Sequence, residues 1–378
     1  MHVLGSVVPL SLLVTTWVVM GFLLQGLQDG WERPWALTYS IHSGYSLSLL
    51  PFAVLRRLRV SHGGATKMPP LRSVLMYTLG LSLLSSTVAV TWYASLNGTS
   101  VPGNSAVYQS CAAFTLIFSV LLLGERVTSV KATACAVSLA GVALVTVGAS
   151  GGTNHRDTVA GYAWVTASTV LYAFYEVIFA RLFMPHKVAR AANDGADASE
   201  PREESETLLL PPAQEDDNRS GSLAAAETSA LVLGLMGVWT LCLQWPIFFI
   251  ADAAKLETLD LAPLSKAKVL AIAVGCDAIF NLSLLWAIST SSPFATSLAT
   301  TLVVPASIVA DLVINQTLPT PIAAAGMCLI LGAVAALNAP TSFWRSRVGA
   351  ALCYPCTCCL TCFQLAYIVR ESLREEPL

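Results

Sequence analysis

Four ionisable side chains lie inside long apolar stretches of this chain: His42, Glu176, Asp277 and Asp311. The same stretches contain no Lys or Arg, so no neighbouring helix can supply a buried cation for the three carboxylates. An unpaired carboxylate in an apolar medium is strongly unfavourable. These acids must therefore be protonated, hydrated, close to the membrane interface or matched to a cationic ligand. The pattern indicates cation binding or proton coupling.

The carboxylates lie at different positions along their apolar stretches, and this difference distinguishes their expected roles. Asp277 lies in the middle of its stretch, and Asn281 follows one helical turn later on the same face. The two predict a polar spot that faces the protein interior. Glu176 lies near the end of its stretch with Arg181 just beyond, so an interfacial ion pair is its structural alternative.

Asp311 and His42 have more ordinary explanations. Asp311 lies close to the end of its stretch, after Pro305, and a helix-end group that reaches headgroup water explains it. We assign Asp311 and Pro305 a gating or structural role. His42 is most simply a hydrogen-bonded core histidine, with a proton relay as the alternative.

Aromatic residues accompany Glu176. Tyr172 and Tyr175 precede it at spacings that place all three on one helical face. An acid beside aromatic rings attracts an organic cation by charge and by cation–π contact. An aromatic belt at the interface is the alternative, and it explains a tyrosine in the middle of a span less well. Further candidates for a cavity lining are Thr38, Tyr39, Trp92, Tyr108 and Gln109.

Ten apolar stretches must position these residues. The chain has 378 residues, is 55% hydrophobic and only 12% charged, with a mean hydropathy of +0.65. Crossing the hydrocarbon core takes about 20 apolar residues in a helix, and backbone groups in lipid must be satisfied within the segment. We therefore predict an all-α polytopic membrane protein with spans at 3–24, 36–55, 73–96, 101–123, 132–150, 159–180, 229–251, 269–289, 294–314 and 318–338.

The basic residues predict the orientation of these spans. The loops after even-numbered spans and the C-terminal tail contain 16 of the 21 Lys and Arg residues, and the opposite side contains five. Basic residues accumulate on the cytosolic side, so we expect both termini to be cytosolic. The first span has no small-residue cleavage site after it, and we expect it to be retained.

The two halves of the chain resemble each other. A constant shift places Thr99-Ser100-Val101-Pro102 on Thr290-Ser291-Ser292-Pro293, and maps span 4 on span 9 and span 5 on span 10. Five spans are an odd number, so the second copy would be inverted in the membrane, as in many transporters. We predict a first repeat at 1–150, a second at 151–340 and a cytosolic Cys-rich tail at 341–378. Thr99, Ser100, Thr290 and Ser291 are assigned gating or structural roles.

Short motifs in a fixed order suggest a family. The chain resembles the drug/metabolite transporter superfamily, in its EamA-like and solute carrier 35 subgroup F-like branch, which includes thiamine-repressible-type vacuolar membrane homologues. The resemblance spans 31 to about 338 and rests on Arg33-Pro34-Trp35-Ala36-Leu37-Thr38-Tyr39, Ala94-Ser95-Leu96-Asn97-Gly98-Thr99-Ser100-Val101, Tyr172-Ala173-Phe174-Tyr175-Glu176-Val177, Trp245-Pro246 and Pro305-Ala306-Ser307-Ile308-Val309-Ala310-Asp311.

The resemblance implies ten helices and solute transport. One departure is informative: the Gly-Ala-Leu-Asn-Lys-like stretch that nucleotide-sugar transporters share is missing, and span 9 reads Ala299-Thr300-Thr301-Leu302-Val303. A nucleotide-sugar exchanger remains the alternative, and it would need Lys131 or Lys268 to reach the site.

The segment 184–228 predicts a disordered cytosolic linker, since it contains 10 of the 23 acidic residues and few aromatics. Within it Glu204, Leu208 and Leu209 fit an acidic di-leucine sorting signal for a sorting adaptor.

In the C-terminal tail, several cysteines lie close together beside basic residues, which suits S-palmitoylation. An irregular zinc site and an eleventh helix are the alternatives. The acylation candidates are Cys353, Cys356, Cys358, Cys359 and Cys362.

These observations predict a secondary transporter that moves a small polar organic solute by alternating access, either cationic or proton-coupled. The expected partners are a small-molecule substrate and the lipid bilayer, and a homodimer stays open. We expect no cofactor, no metal and no nucleic-acid partner. The expected location is an endomembrane (vacuole, lysosome or Golgi) rather than the plasma membrane. An intramembrane enzyme would need paired Asp, Gly-x-Ser-x-Gly or a His cluster within the spans, and no span carries one of these patterns in full. A transport-inactive scaffold that uses the acidic linker is the remaining alternative.

Overall fold

The computed structural model describes residues 2–28, 33–61, 70–96, 98–99, 104, 107–110, 111–125, 127, 129–149, 158–184, 218–255, 257, 266–315 and 318–338. This part of the chain contains no strand. Its α-helices are α1 (His2–Gln28), α2 (Pro34–Ser43), α3 (Leu49–Ser61), α4 (Leu71–Leu96), α5 (Cys111–Leu123), α6 (Ser129–Ala149), α7 (Val159–Phe183), α8 (Asn218–Trp239), α9 (Pro246–Ala253), α10 (Ala267–Thr290), α11 (Pro293–Thr300), α12 (Val303–Asn315) and α13 (Pro321–Asn338).

The predicted all-α polytopic membrane fold is confirmed. Five helical stretches are long and apolar enough to cross a bilayer, and shorter apolar helices cover other predicted spans. Described helical residues lie within each of the ten predicted spans, and in the span at 101–123 helix α5 covers the second half. The inverted five-plus-five repeat stays a prediction.

One boundary differs from the sequence prediction. Helix α8 begins at Asn218, inside the segment predicted as linker, and therefore ahead of the apolar span. The added turns contain Glu227, which is buried and paired with Arg56 and Arg59 of α3. Pairing with these arginines stabilises a helical extension that the apolar pattern alone does not predict.

Three predicted spans are broken helices, and each break precedes a proline. A 3₁₀ segment (Gly44–Ser48) separates α2 from α3 ahead of Pro51, and a π-helical segment (Thr240–Gln244) separates α8 from α9 ahead of Pro246. Helices α11 and α12 are separated just ahead of Pro305. Proline has no N–H for the carbonyl four residues earlier, so the α-helical ladder changes at each of these points.

The helices form two compact units. The larger one comprises the described residues of 2–127 and 158–303. In it α1 packs along α10, α4 and α5 pack along α7, and α8 packs against α3 and the 3₁₀ segment. Large buried side chains fill its interior, among them Leu13, Tyr175, Phe179, Leu233 and Leu284. The smaller unit contains α6 and α13, which pack along each other.

Glycine sets the closest approaches in both units. A Cβ on Gly237 of α8 would overlap the backbone of Tyr45 and Ser46, with the Tyr45 carbonyl carbon at 2.6 Å. In the smaller unit a Cβ on Gly141 would lie 2.7 Å from the carbonyl oxygen of Gly326. In lipid, helix association depends on van der Waals packing and small residues rather than on the hydrophobic effect. These contacts are therefore direct contributors to the fold.

Candidate functional site

The larger unit contains a partly open cavity with a volume of about 50 Å³. Its lining combines one carboxylate, one amide, one imidazole and a majority of aromatic rings, and it contains no Lys or Arg. The residues are Trp17, Met20, His42, Tyr45, Ser85, Val88, Ala89, Trp92, Tyr93, Tyr108, Tyr172, Tyr175, Asp277, Phe280 and Asn281. A buried water needs about 10–15 Å³ on this measure, so the cavity has room for a few waters and not for a larger solute.

Asp277 is the anionic group of the cavity, and it is 6% exposed. Its Oδ2 accepts a hydrogen bond from the Tyr45 hydroxyl at 2.7 Å and another from Asn281 Nδ2 at 3.1 Å. Asn281 Nδ2 also lies 2.9 Å from the Tyr45 hydroxyl. The side chains of Asp277 and Asn281 therefore lie together, as their spacing of one helical turn predicts. Two neutral donors hold the carboxylate, and the structure describes no cation beside it.

Aromatic rings surround this carboxylate. The Trp17 ring lies 4.7 Å from that of Phe280 and stacks on Tyr108 at 5.8 Å between centroids. Tyr108 lies 5.5 Å from Tyr172. Rings at these separations present faces and edges to the cavity, and ring faces attract cations within about 6 Å.

His42 borders the same cavity. Its ring stacks on Tyr45 at 4.6 Å, and its Nδ1 lies 3.3 Å from Ser86 Oγ. The interpretation of His42 as a hydrogen-bonded core residue agrees with this geometry. Through Tyr45 it also supports the side chain that holds Asp277.

Glu176 lies apart from the cavity lining. It is completely buried, and its Oε2 accepts a hydrogen bond from Thr115 Oγ1 of α5 at 3.0 Å. Tyr172 and Tyr175 border the cavity, while Glu176 on the same helix contacts α5 instead. Arg181, the partner suggested by sequence, donates to the carbonyl oxygen of Leu122 at 3.0 Å.

Three further cavity candidates lie outside the described lining. Thr38 is buried and its hydroxyl donates to the carbonyl oxygen of Pro34 at 2.7 Å. Tyr39 is half-buried on the same helix, and Gln109 is buried. A role of these three in substrate binding stays a prediction.

The predicted gating residues make local structural bonds. Thr99 Oγ1 donates to the Ser95 carbonyl oxygen at 2.8 Å and accepts from Asn104 Nδ2 at 2.9 Å. Thr290 Oγ1 donates to the Trp286 carbonyl oxygen at 3.0 Å, and Ser291 Oγ to that of Ala287 at 2.7 Å.

Pro305 is buried near the start of α12. Ser100, the side chain of Asp311, the sorting residues Glu204, Leu208 and Leu209, and the tail cysteines 353, 356, 358, 359 and 362 lie outside the described part of the structure.

Sequence reasoning missed Tyr45, Trp17 and Phe280. Tyr45 lies in the 3₁₀ break before Pro51, and interrupted membrane helices commonly mark binding sites. The proline inside an apolar stretch was therefore the available signal for Tyr45. Trp17 and Phe280 lie on apolar helices whose sequence pattern does not distinguish a buried face.

Two carboxylates contact the broken span formed by α2, the 3₁₀ segment and α3, one at each end. At one end Glu227 of α8 pairs with Arg59 at 3.1 Å and lies 3.5 Å from Arg56 Nη1. At the other end the carboxylate of Glu257, beyond α9, accepts from the backbone N–H groups of Trp35 and Ala36 at 2.9 and 3.0 Å. The second contact neutralises the positive N-terminal end of α2.

Comparisons with known proteins agree with this architecture. A model of the EamA-like transporter family matches residues 6–147. The thiamine-repressible mitochondrial transport protein THI74 of Saccharomyces cerevisiae is 22% identical over 364 residues, covering 85% of this chain and 87% of that protein. A solved crystal structure of another protein has a TM-score of 0.54 at 16% identity, covering 88% of this chain and 96% of that one. At this identity the structural likeness shows the fold alone.

The two sequence matches support a transporter rather than an enzyme, and they confirm the predicted family resemblance at the EamA level. Assignment to solute carrier family 35 and to the vacuole stays a prediction, as does the cytosolic location of the termini. The match to the EamA-like transporter family over residues 6–147 and the similarity to a transport protein support a multi-pass membrane transporter.

Proposed function

We propose that the protein is a secondary transporter that moves a small organic cation by alternating access, with Asp277 as the counter-charge. The observation that supports this most directly is a buried carboxylate in a cavity lined by aromatic rings and without Lys or Arg. Such a site is unfavourable for an anion, because the carboxylate would repel it and no basic group would offset its desolvation. A cation instead relieves the uncompensated charge of Asp277.

The cavity is too small for an organic substrate, and for this reason we propose alternating access. Sites for drug-sized ligands occupy about 300–1,000 Å³, and this cavity has about 50 Å³. Substrate entry therefore requires the lining helices to separate. The 3₁₀ segment that carries Tyr45 is a point where a membrane helix can bend, since its backbone ladder is already interrupted.

A nucleotide-sugar exchanger would need a basic residue at the site. Lys268 lies exposed at the start of α10 and does not line the cavity. Lys131 is not among the lining residues either. The arrangement around Asp277 thus favours the cation over the sugar nucleotide.

Ligand-induced stabilisation of the purified full chain in detergent tests this proposal. The probes are thiamine, choline, spermidine and a uridine-diphosphate sugar. Thiamine is the first probe because it is an aromatic cation and because the yeast relative is named for thiamine repression and transport. A ligand at 100 times its Kd stabilises the folded state by about 2.7 kcal/mol, which a melting curve resolves.

We expect a cationic probe to raise the melting temperature with concentration, and Asp277→Asn to weaken its affinity at least about tenfold. Asp252→Asn, an exposed aspartate of α9, is the matched control and should bind like wild type. A shift with the uridine-diphosphate sugar alone would overturn the proposal.

Deleting 185–217 tests the scaffold alternative, since a transporter should keep its uptake without this segment.

A further inference from the structure

The second buried carboxyl group, Glu176, has its own polar surroundings. It is completely buried, Thr115 donates to its Oε2 at 3.0 Å, and its Oε1 accepts no hydrogen bond from the described residues. Thr115 Oγ1 also lies 3.3 Å from Ser297 Oγ, which in turn lies 3.5 Å from Cys111 Sγ. The cluster is therefore built by three helices: α7, α5 and α11.

No positively charged group faces this cluster among the described residues. The titratable side chains whose electrostatic interactions include Glu176 are Tyr108, Cys111, Tyr172 and Tyr175, and none of them is a basic residue. Hydroxyl groups are different from cations because they can rotate and either donate or accept. Thr115 and Ser297 can thus serve a carboxylate and also a carboxylic acid. Such surroundings suit a group that changes its protonation state.

Two tyrosines lie between Glu176 and the substrate cavity. Tyr172 is one turn before Glu176 on α7, borders the cavity, and has a buried hydroxyl without a hydrogen-bond partner among the described residues. Tyr175 borders the same cavity and interacts with both Glu176 and Asp277. The two carboxyl groups therefore occupy separate surroundings, and both interact with Tyr175.

We propose that Glu176 is the proton-binding site of the transport cycle, distinct from the cation site at Asp277. This inference rests on the proposed transport of an organic cation. A proton taken from water on one side forms the O–H bond of the Glu176 acid at Oε1. When the site communicates with the other side, that bond breaks and the proton returns to water. The net step is the exchange of one proton for one substrate cation, with no other reactant.

A proton explains the cluster better than a metal ion does. Hard cations take six or more oxygen ligands, whereas Cys111 occupies one side of this cluster and the hydroxyls are only two. The unused Oε1 needs one hydrogen and no coordination shell.

Infrared difference spectroscopy of the purified full chain tests the proposal without any substrate. We expect wild type to show the carbonyl stretch of a buried, protonated carboxylic acid that decreases as the pH rises, and Glu176→Gln to lack it. Glu176→Asp should retain a shifted band, which controls for misfolding of the Gln variant. Thr115→Val should shift the band, because the hydrogen bond to the carboxyl group is lost. A band that persists in Glu176→Gln would overturn the proposal.

A flux measurement separates this proposal from the previous one. Proteoliposomes with a pH gradient, acidic inside, should accumulate labelled thiamine several-fold above equilibrium with wild type, and Glu176→Gln should show no accumulation. Asp277→Asn should lose the thiamine-induced melting shift and keep the infrared band. If thiamine does not bind wild type at all, the infrared result still decides on Glu176. Accumulation that follows a sodium gradient instead of the pH gradient would contradict a proton site.

Discussion

The hydroxyl group of Tyr45 donates a hydrogen bond of 2.7 Å to Oδ2 of Asp277. Tyr45 belongs to the 3₁₀ segment between α2 and α3, and Asp277 to the middle of α10. This bond joins an interrupted helix to the one carboxylate of the cavity. If a cation binds Asp277 as proposed, it competes with the tyrosine, and ligand binding is then coupled to the position of the broken helix.

Removing this hydrogen bond should loosen the cavity. We predict that Tyr45→Phe lowers the free energy of unfolding by about 1.5–3 kcal/mol, as expected for a hydrogen bond to a charged group. Tyr77→Phe is the control, since Tyr77 is a half-buried residue that does not line the cavity. Thermal melting in detergent measures both. Equal melting temperatures for the two variants would show that the Tyr45 bond adds no stability.

The aromatic wall should contribute to cation affinity. The ring centroid of Trp17 lies 4.7 Å from that of Phe280 and 5.8 Å from those of Tyr108 and Trp92. We predict that Trp17→Leu weakens binding of the cationic probe by about 0.5–2 kcal/mol, the range for a cation–π contact. The control is Trp164→Leu, because Trp164 is exposed. Titration calorimetry measures the loss, and unchanged affinity in Trp17→Leu would exclude a role for this ring.

The ion pair between α3 and α8 should stabilise their contact. Glu227 is buried and lies beside Arg59 and Arg56. We predict that Glu227→Gln costs about 1–2 kcal/mol of stability, since the partly exposed arginines keep some hydration. A double-mutant cycle with Arg59→Gln isolates the pair. Strict additivity of the two single changes would mean that the arginine and the glutamate do not interact.

Glu257 should act as a cap for α2. Its two oxygens each accept one backbone N–H, from Trp35 and Ala36. Glu257→Gln keeps one acceptor and loses the charge, whereas Glu257→Leu loses both acceptors. We predict losses of about 0.5 and 1.5 kcal/mol respectively, in the range of helix caps. Denaturation in detergent–denaturant mixtures measures the stability of each variant. A Leu variant as stable as wild type would contradict a capping role for Glu257.

Gly237 should tolerate no side chain. A Cβ there would overlap the backbone of Tyr45 and Ser46, whereas a Cβ on Gly275 of α10 would meet nothing within 4 Å. We predict that Gly237→Ala destabilises by about 1–3 kcal/mol through overpacking and weakens cation binding, because it displaces Tyr45. Gly275→Ala should be neutral or stabilising by up to about 1 kcal/mol, since alanine is the better helix former. Comparable melting temperatures for the two variants would contradict the close contact.

Several features of this protein follow from the sequence alone. Long apolar stretches in lipid must be helices, because their backbone groups have no other partners. The spacing of Asp277 and Asn281 predicts one shared polar face, and the structure shows the two side chains hydrogen-bonded. The missing N–H of proline explains the breaks before Pro51, Pro246 and Pro305, although the sequence analysis predicted continuous spans there.

Only the tertiary structure decided which residues meet. Tyr45, which the sequence analysis missed, contacts Asp277 although the two are far apart in the chain, while the predicted Tyr39 lies outside the described lining. Glu176 shares a helix with Tyr172 and Tyr175 and still points into a separate cluster. The reason is physical: a membrane helix is apolar on every side, so its pattern scarcely encodes its rotation about its own axis. Packing of neighbouring helices sets that rotation, and with it the membership of the cavity.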